Sequence, residues 1–135
     1  MTEDALNVAH AVAHIGEADY QVDIRAGRHR FAADEPPALG GKDAAPAPFQ
    51  LLLSALAACT AITLRMYAQR KGWGLKGLDV DLRFVKDGDQ SRIDRTLVLQ
   101  GELTPEQRAR LGEVAEKTPV TLALKGGVAI ATILR

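Results

Sequence analysis

The segment Pro48-Phe49-Gln50-Leu51-Leu52-Leu53-Ser54-Ala55-Leu56-Ala57-Ala58-Cys59-Thr60-Ala61-Ile62-Thr63-Leu64 decides how the rest of this 135-residue chain is read. Pro48 suits the first turn of a helix, where its missing N–H costs little, and the pattern predicts a helix running to about Lys71 with Gly72 just past its end. From Phe49 to Leu64 only Gln50, Ser54, Thr60 and Thr63 interrupt the apolar and small residues. A helix without a polar face is expected to be buried all round. One small domain offers too little surface to surround it, which implies a partner subunit. The segment is short and rich in Ala, Ser and Thr for a membrane span, and its Arg65, Arg70 and Lys71 end is polar, so no membrane is expected.

On the amino-terminal side, Val8 to Ile15 alternate as a strand does, Gly16 to Asp19 make a turn, and Tyr20 to Ile24 continue as a second strand. Arg25-Ala26-Gly27-Arg28-His29 reads as a tight connection into a short third strand, Arg30-Phe31-Ala32. Between Ala33 and Pro48 the breakers Pro36, Pro37, Gly40, Gly41 and Pro46 dictate a long ordered loop. On the carboxyl side, Leu78–Val85 and Ile93–Leu99 alternate at period two around Asp87-Gly88-Asp89, predicting a second hairpin. Thr104-Pro105-Glu106-Gln107 has the residues of a capping box, and the helix it opens should stop near Lys117 because Pro119 restricts Thr118. Val128 to Leu134, apolar and rich in β-branched residues, is expected to be a buried strand. This order of elements gives an α+β fold with a largely antiparallel sheet, and the length suits a single domain over residues 1–135.

Seventeen Lys and Arg are matched by 17 Asp and Glu, so no net field draws nucleic acid or anionic lipid to the surface. The opening Met1-Thr2-Glu3-Asp4-Ala5 is acidic and leads into no sustained apolar run, unlike a secretory signal or a basic transit peptide, so a cytoplasmic location is expected.

Cys59 is the only Cys, which excludes an internal disulfide and a Cys-rich zinc site. Its thiol serves either packing or chemistry. Chemistry needs a cation to favour the thiolate, and Arg25, Arg28 and Arg65 are the nearest candidates in the element map. His10 and His14 lie two pleats apart on a strand with no acidic ligand near, so no metal site is expected there. Asp34-Glu35 before Pro36-Pro37 reads as loop organisation rather than cation binding, and Lys125-Gly126-Gly127 as a turn.

Pro46 to Thr60 resembles the signature helix of the OsmC-like family, which includes the organic hydroperoxide resistance proteins. Ala33-Asp34-Glu35-Pro36 with Gly40-Gly41, Met66 to Trp73, and Leu111 to Val120 are similar to the same family in the same order, so the resemblance spans about Tyr20 to the end. It implies an OsmC-like fold, with antiparallel sheets packed around long central helices in an entwined homodimer, and no cofactor. It also implies reduction of organic or hydrogen peroxides by a Cys on this helix, which a second Cys on a later helix resolves. In the family an Arg from the amino-terminal strands activates the first thiol, and in the hydroperoxide branch a Glu holds that Arg.

Carried over by position, Cys59 matches the attacking thiol, and Arg28, followed by Arg25, matches the Arg. Thr118 stands where the family has its resolving Cys. Phe49 and Gln50 stand where members carry Glu, and neither can be an anion. The implied activity is a thiol-dependent peroxidase whose partners are a small-molecule peroxide and an external thiol. Two alternatives are a non-catalytic dimer binding a small hydrophobic ligand and a single-Cys redox sensor.

Overall fold

Two-residue turns close both hairpins of the computed structural model, which describes residues 5–135; the acidic opening Met1 to Asp4 lies outside them. Gly27, at φ 61°, links strand β2 (Val22–Ala26) to β3 (His29–Ala33), and Gly88, at φ 63°, links β4 (Gly74–Asp87) to β5 (Gln90–Glu102). A left-handed residue at the first turn position matches the twist of the strands it joins, so Ala26 pairs with His29 and Asp87 with Gln90. Strand β1 (Ala11–His14) pairs antiparallel with β2, giving a three-stranded sheet in the order β1-β2-β3; β4 and β5 form a separate two-stranded sheet. The expected first strand is cut to four residues, because β2 offers it partners only from Asp23 to Ala26.

Residues 1–51 and 52–135 form two compact units. In the first, the breaker-rich loop is organised by Asp34, which is 3% exposed. Its carboxylate accepts the N–H groups of Glu35 (2.8 Å), Ala44 (3.1 Å) and Lys42 (3.3 Å), holding the loop as the sequence led one to expect. These bonds, that of Glu35 foremost, keep the carboxyl below its ordinary value against the opposing effect of burial.

Helix α1 (Pro48–Lys71) has the predicted bounds. Gly72, at φ 70°, takes the left-handed position after it; Gly72 N–H reaches the Gln69 carbonyl and Trp73 N–H the Ala68 carbonyl, a Schellman stop. At 24 residues α1 is long and apolar enough to cross a membrane by length and composition, so shortness does not exclude a span. What α1 shows within the chain is a single buried stripe, Leu56, Thr60, Leu64 and Ala68, at the four-residue spacing of one helix face. Within the single chain the cover is one-sided, and Ala55, Ala58, Ile62 and Met66 are exposed.

The core of the second unit forms where that stripe meets helix α2 (Pro105–Ala115) and the alternating face of the hairpin. Leu64 and Leu111, both fully buried, pack with Ala115, ringed by Trp73, Leu78, Leu97 and Leu99. Full burial of a Leu contributes about 1.5–3 kcal/mol, so these two anchor the assembly. Thr104 caps α2 as predicted, accepting Gln107 N–H while Gln107 Oε1 accepts Thr104 N–H.

At the carboxyl end one expectation holds and one fails. Helix α2 stops at Ala115, close to the expected Lys117, and Pro119 then opens an unforeseen helix α3 (Pro119–Gly126), as a Pro at the first helical position can. No strand forms over Val128–Leu134, where Val128, Ile130, Ile133 and Leu134 are 71–95% exposed. Composition suits that run to a strand, but a strand exists only when its N–H and C=O groups find an edge, and none among the described residues pairs with it.

Candidate functional site

Cys59 sits in the fourth turn of α1, half-buried, one residue before the buried stripe member Thr60. Helix α3 begins beside it. Val120, at the second helical position, has an N–H with no carbonyl inside the helix to serve, and it donates to Cys59 Sγ at 3.5 Å. Thr118, directly before α3, is fully buried, and its hydroxyl meets that of Thr121 (2.5 Å). The structure therefore brings Cys59 and Thr118 into one neighbourhood.

A guanidinium that sequence reasoning missed ties this neighbourhood together. Arg95 extends from β5, its side chain 12% exposed. One terminal nitrogen donates to Thr60 Oγ1 and Thr121 Oγ1, the other to the Ala115 carbonyl and Glu116 Oε2, all at 3.0 Å. Thr60 spends its own proton on the Leu56 carbonyl (2.7 Å) and Thr121 on that of Ala115 (3.3 Å). Both hydroxyls therefore present lone pairs to Arg95, and Thr118 is the donor to Thr121. A buried guanidinium without partners would cost several kcal/mol; here every terminal N–H is used. Glu116 also accepts Lys125 Nζ at 2.7 Å, and the bonds from Lys125 and then Arg95 hold its carboxyl below the ordinary range.

The signal for Arg95 was present in the strand pattern. Ile93, Leu97 and Leu99 alternate on the inward face of β5, and Arg95 occupies the inward position among them. A charge on the apolar face of an alternating strand requires a buried partner, which makes it a candidate for structure or function.

The other expected residues lie as follows. Arg65 is not beside the thiol: its guanidinium bonds the carbonyls of Leu75 (2.6 Å) and Lys76 (3.0 Å) at the start of β4. Arg25, on β2 opposite Arg30, and Arg28, in the turn after it, are exposed residues of the first unit. Gln50 braces the start of α1, its Oε1 accepting Ala47 N–H at 2.9 Å, which a neutral amide does as well as a carboxylate. Phe49 beside it is 60% exposed. Among the described residues no three His, Cys, Asp or Glu side chains gather in a metal-binding group.

A cleft of about 800 Å³ opens in the second unit between α1, the hairpin and α3. Leu52, Leu56, Phe84 and Ile93 supply apolar wall, Arg95 and Glu116 polar wall. Cys59 does not line it; Arg95 links the cleft to the helical turn that carries the thiol.

Residues 40–133 match the family described as OsmC-like protein. The fold is similar to that of an OsmC-like protein from Mycoplasma pneumoniae (TM-score 0.76, 17% identity, 89% of each chain covered). It is also similar to an organic hydroperoxide resistance protein from Legionella pneumophila (0.64, 22%, 91% of this chain and 93% of that one). A third solved relative is an organic hydroperoxide resistance protein from Elizabethkingia anophelis with thiocyanate bound (0.69, 18%, 91% of each). No curated protein sequence matches this chain at a significant level. With a family match over well more than half its length and an α+β architecture shared with these structures, the chain belongs to the OsmC-like protein family.

Proposed function

We propose that this protein is a thiol-dependent peroxidase that reduces organic or hydrogen peroxides at Cys59 and draws its electrons from an external thiol. The observation that carries the reading is the half-buried Cys59 Sγ receiving the Val120 N–H, which sets the thiol against the start of helix α3. Family membership and the names of the hydroperoxide resistance proteins that share the fold support the reaction class.

In the first step the Cys59 thiolate attacks one peroxide oxygen and the O–O bond breaks. Sulfur gives up two electrons and becomes a sulfenic acid, while the other oxygen leaves as alkoxide and takes a proton to become alcohol or water. In the resembling family a second Cys then displaces that oxygen. Here the position holds Thr118, whose hydroxyl cannot, so a thiol from solution attacks the sulfenic acid, forming a mixed disulfide and releasing water. A second equivalent of thiol restores Cys59 and leaves as a disulfide. The balance is one peroxide and two thiols consumed for one alcohol, one water and one disulfide.

The working unit is a homodimer on this reading. Exposed Ala55, Ala58, Ile62 and Met66 leave one side of α1 for a second copy, and the exposed apolar run Val128–Leu134 pairs with no strand among the described residues. The test of function is hydroperoxide consumption with and without a small thiol. Wild type should be slow alone and faster with thiol, and Cys59→Ser inactive in both. A second reading, non-catalytic binding of a small hydrophobic ligand, is favoured by the cleft walled by Leu52, Leu56, Phe84 and Ile93. It replaces the first if a folded wild type consumes no peroxide under either condition.

A further inference from the structure

Resting on the assignment of Cys59 as the reacting thiol, we propose that Arg95 is a positioning residue for that reaction, clamping the start of α3 onto α1 so that the Val120 N–H meets the sulfur. Four bonds define the clamp. On α1 Arg95 holds Thr60, the residue after Cys59; across the gap it holds the Ala115 carbonyl at the end of α2, Glu116 in the connection, and Thr121 in the first turn of α3. Val120, which donates to Cys59 Sγ, directly precedes Thr121. One planar guanidinium thus fixes the acceptor's helix and the donor's helix in the same frame.

Arg95 does not touch Sγ by a hydrogen bond, so its influence passes through the backbone it holds. The hydrogen bond from Val120 strengthens as the sulfur gains negative charge, and the exposed N–H groups of a helix start act the same way. The charged groups tied into the clamp are Arg95 from β5, Glu116 from the α2–α3 connection and Lys125 from α3, and these three are bonded in a chain. Thr118 completes the arrangement by donating to Thr121, so the residue standing in the resolving position belongs to the clamp.

A clamp differs from a mere stabilising contact in what its loss does to folded molecules. Iodoacetamide alkylation of Cys59 at neutral pH, expressed per folded molecule, reads the thiol without requiring peroxide chemistry; the amide resonance of Val120 reads the donor. In Arg95→Met the alkylation rate should fall by about two- to tenfold, the range a helix-start interaction supports. The Val120 amide signal should also lose its response to alkylation. Arg95→Lys, which keeps the charge and up to three donors, should recover part of the rate. Thr60→Val, which removes the anchor on α1 alone, should shift both readings in the same direction and serves if Arg95→Met does not fold. An unchanged or faster alkylation rate in a folded variant, with the Val120 signal still responding, overturns the proposal. A wild type that is alkylated yet inert to peroxide sinks the peroxidase reading and leaves this test standing.

Discussion

At position 118 stands a hydroxyl, and we propose that this is the place of the sulfur that closes the redox cycle in the resembling family. Thr118 is fully buried, lies two residues before the Val120 that bonds Cys59, and has the volume to be exchanged for Cys. Thr118→Cys should therefore form an intramolecular disulfide with Cys59 after peroxide treatment, which requires Cα atoms within about 7 Å. Peptide mapping under non-reducing conditions checks this, and absence of the bridge would show that 118 is not the resolving position. Cys59 was legible because it is the only thiol in a helix of unusual composition. Arg95 was not recognised, because its significance lies in partners 20 to 35 residues away that only the fold brings near. The local pattern marked it as a charge on an apolar face without saying what it would hold.

Elements with local punctuation were read from the chain almost to the residue. Pro48 and Gly72 bound α1, Thr104 to Gln107 cap α2, and the tight turns close both hairpins, since each of these depends on neighbours a few positions apart. Where the outcome depends on a distant surface the reading failed, as at Val128–Leu134, which has strand composition but pairs with no strand among the described residues. At Pro119 the reading was incomplete rather than wrong: α2 stops before it as expected, and the same residue also starts the next helix. The loop held by Asp34 carries a pH signature. Its carboxyl is depressed below 3.8 in the fold, so it stabilises the native state above the unfolded-state value, and that contribution is lost as pH falls through the lower folded value. Urea unfolding as a function of pH should show the wild type losing stability below pH 3.8. Asp34→Asn, which cannot accept all three N–H bonds as an anion does, should be weaker at neutral pH and less sensitive to acid in that window. Parallel acid limbs for the two proteins would contradict the assignment.

For the whole molecule, the single chain leaves apolar surface that folding alone does not cover. Ile62 and Met66 on α1 and Ile130, Ile133 and Leu134 at the carboxyl end are all more than half exposed. Burial of such side chains contributes about 1.5–3 kcal/mol each at full cover, ample to hold two copies together once association entropy is met. Sedimentation should report roughly twice the 14.5 kDa chain mass at micromolar concentration, and a stable folded monomer there would refute the dimer. The central claim concerns the sulfur, and the mass of the Cys59 peptide after exposure of the folded protein to an organic hydroperoxide tests it most directly. The expected product is Cys59 carrying one added oxygen, converted to a mixed disulfide when a small thiol is present. A Cys59 that stays unmodified under excess hydroperoxide, in protein that remains folded, would contradict it.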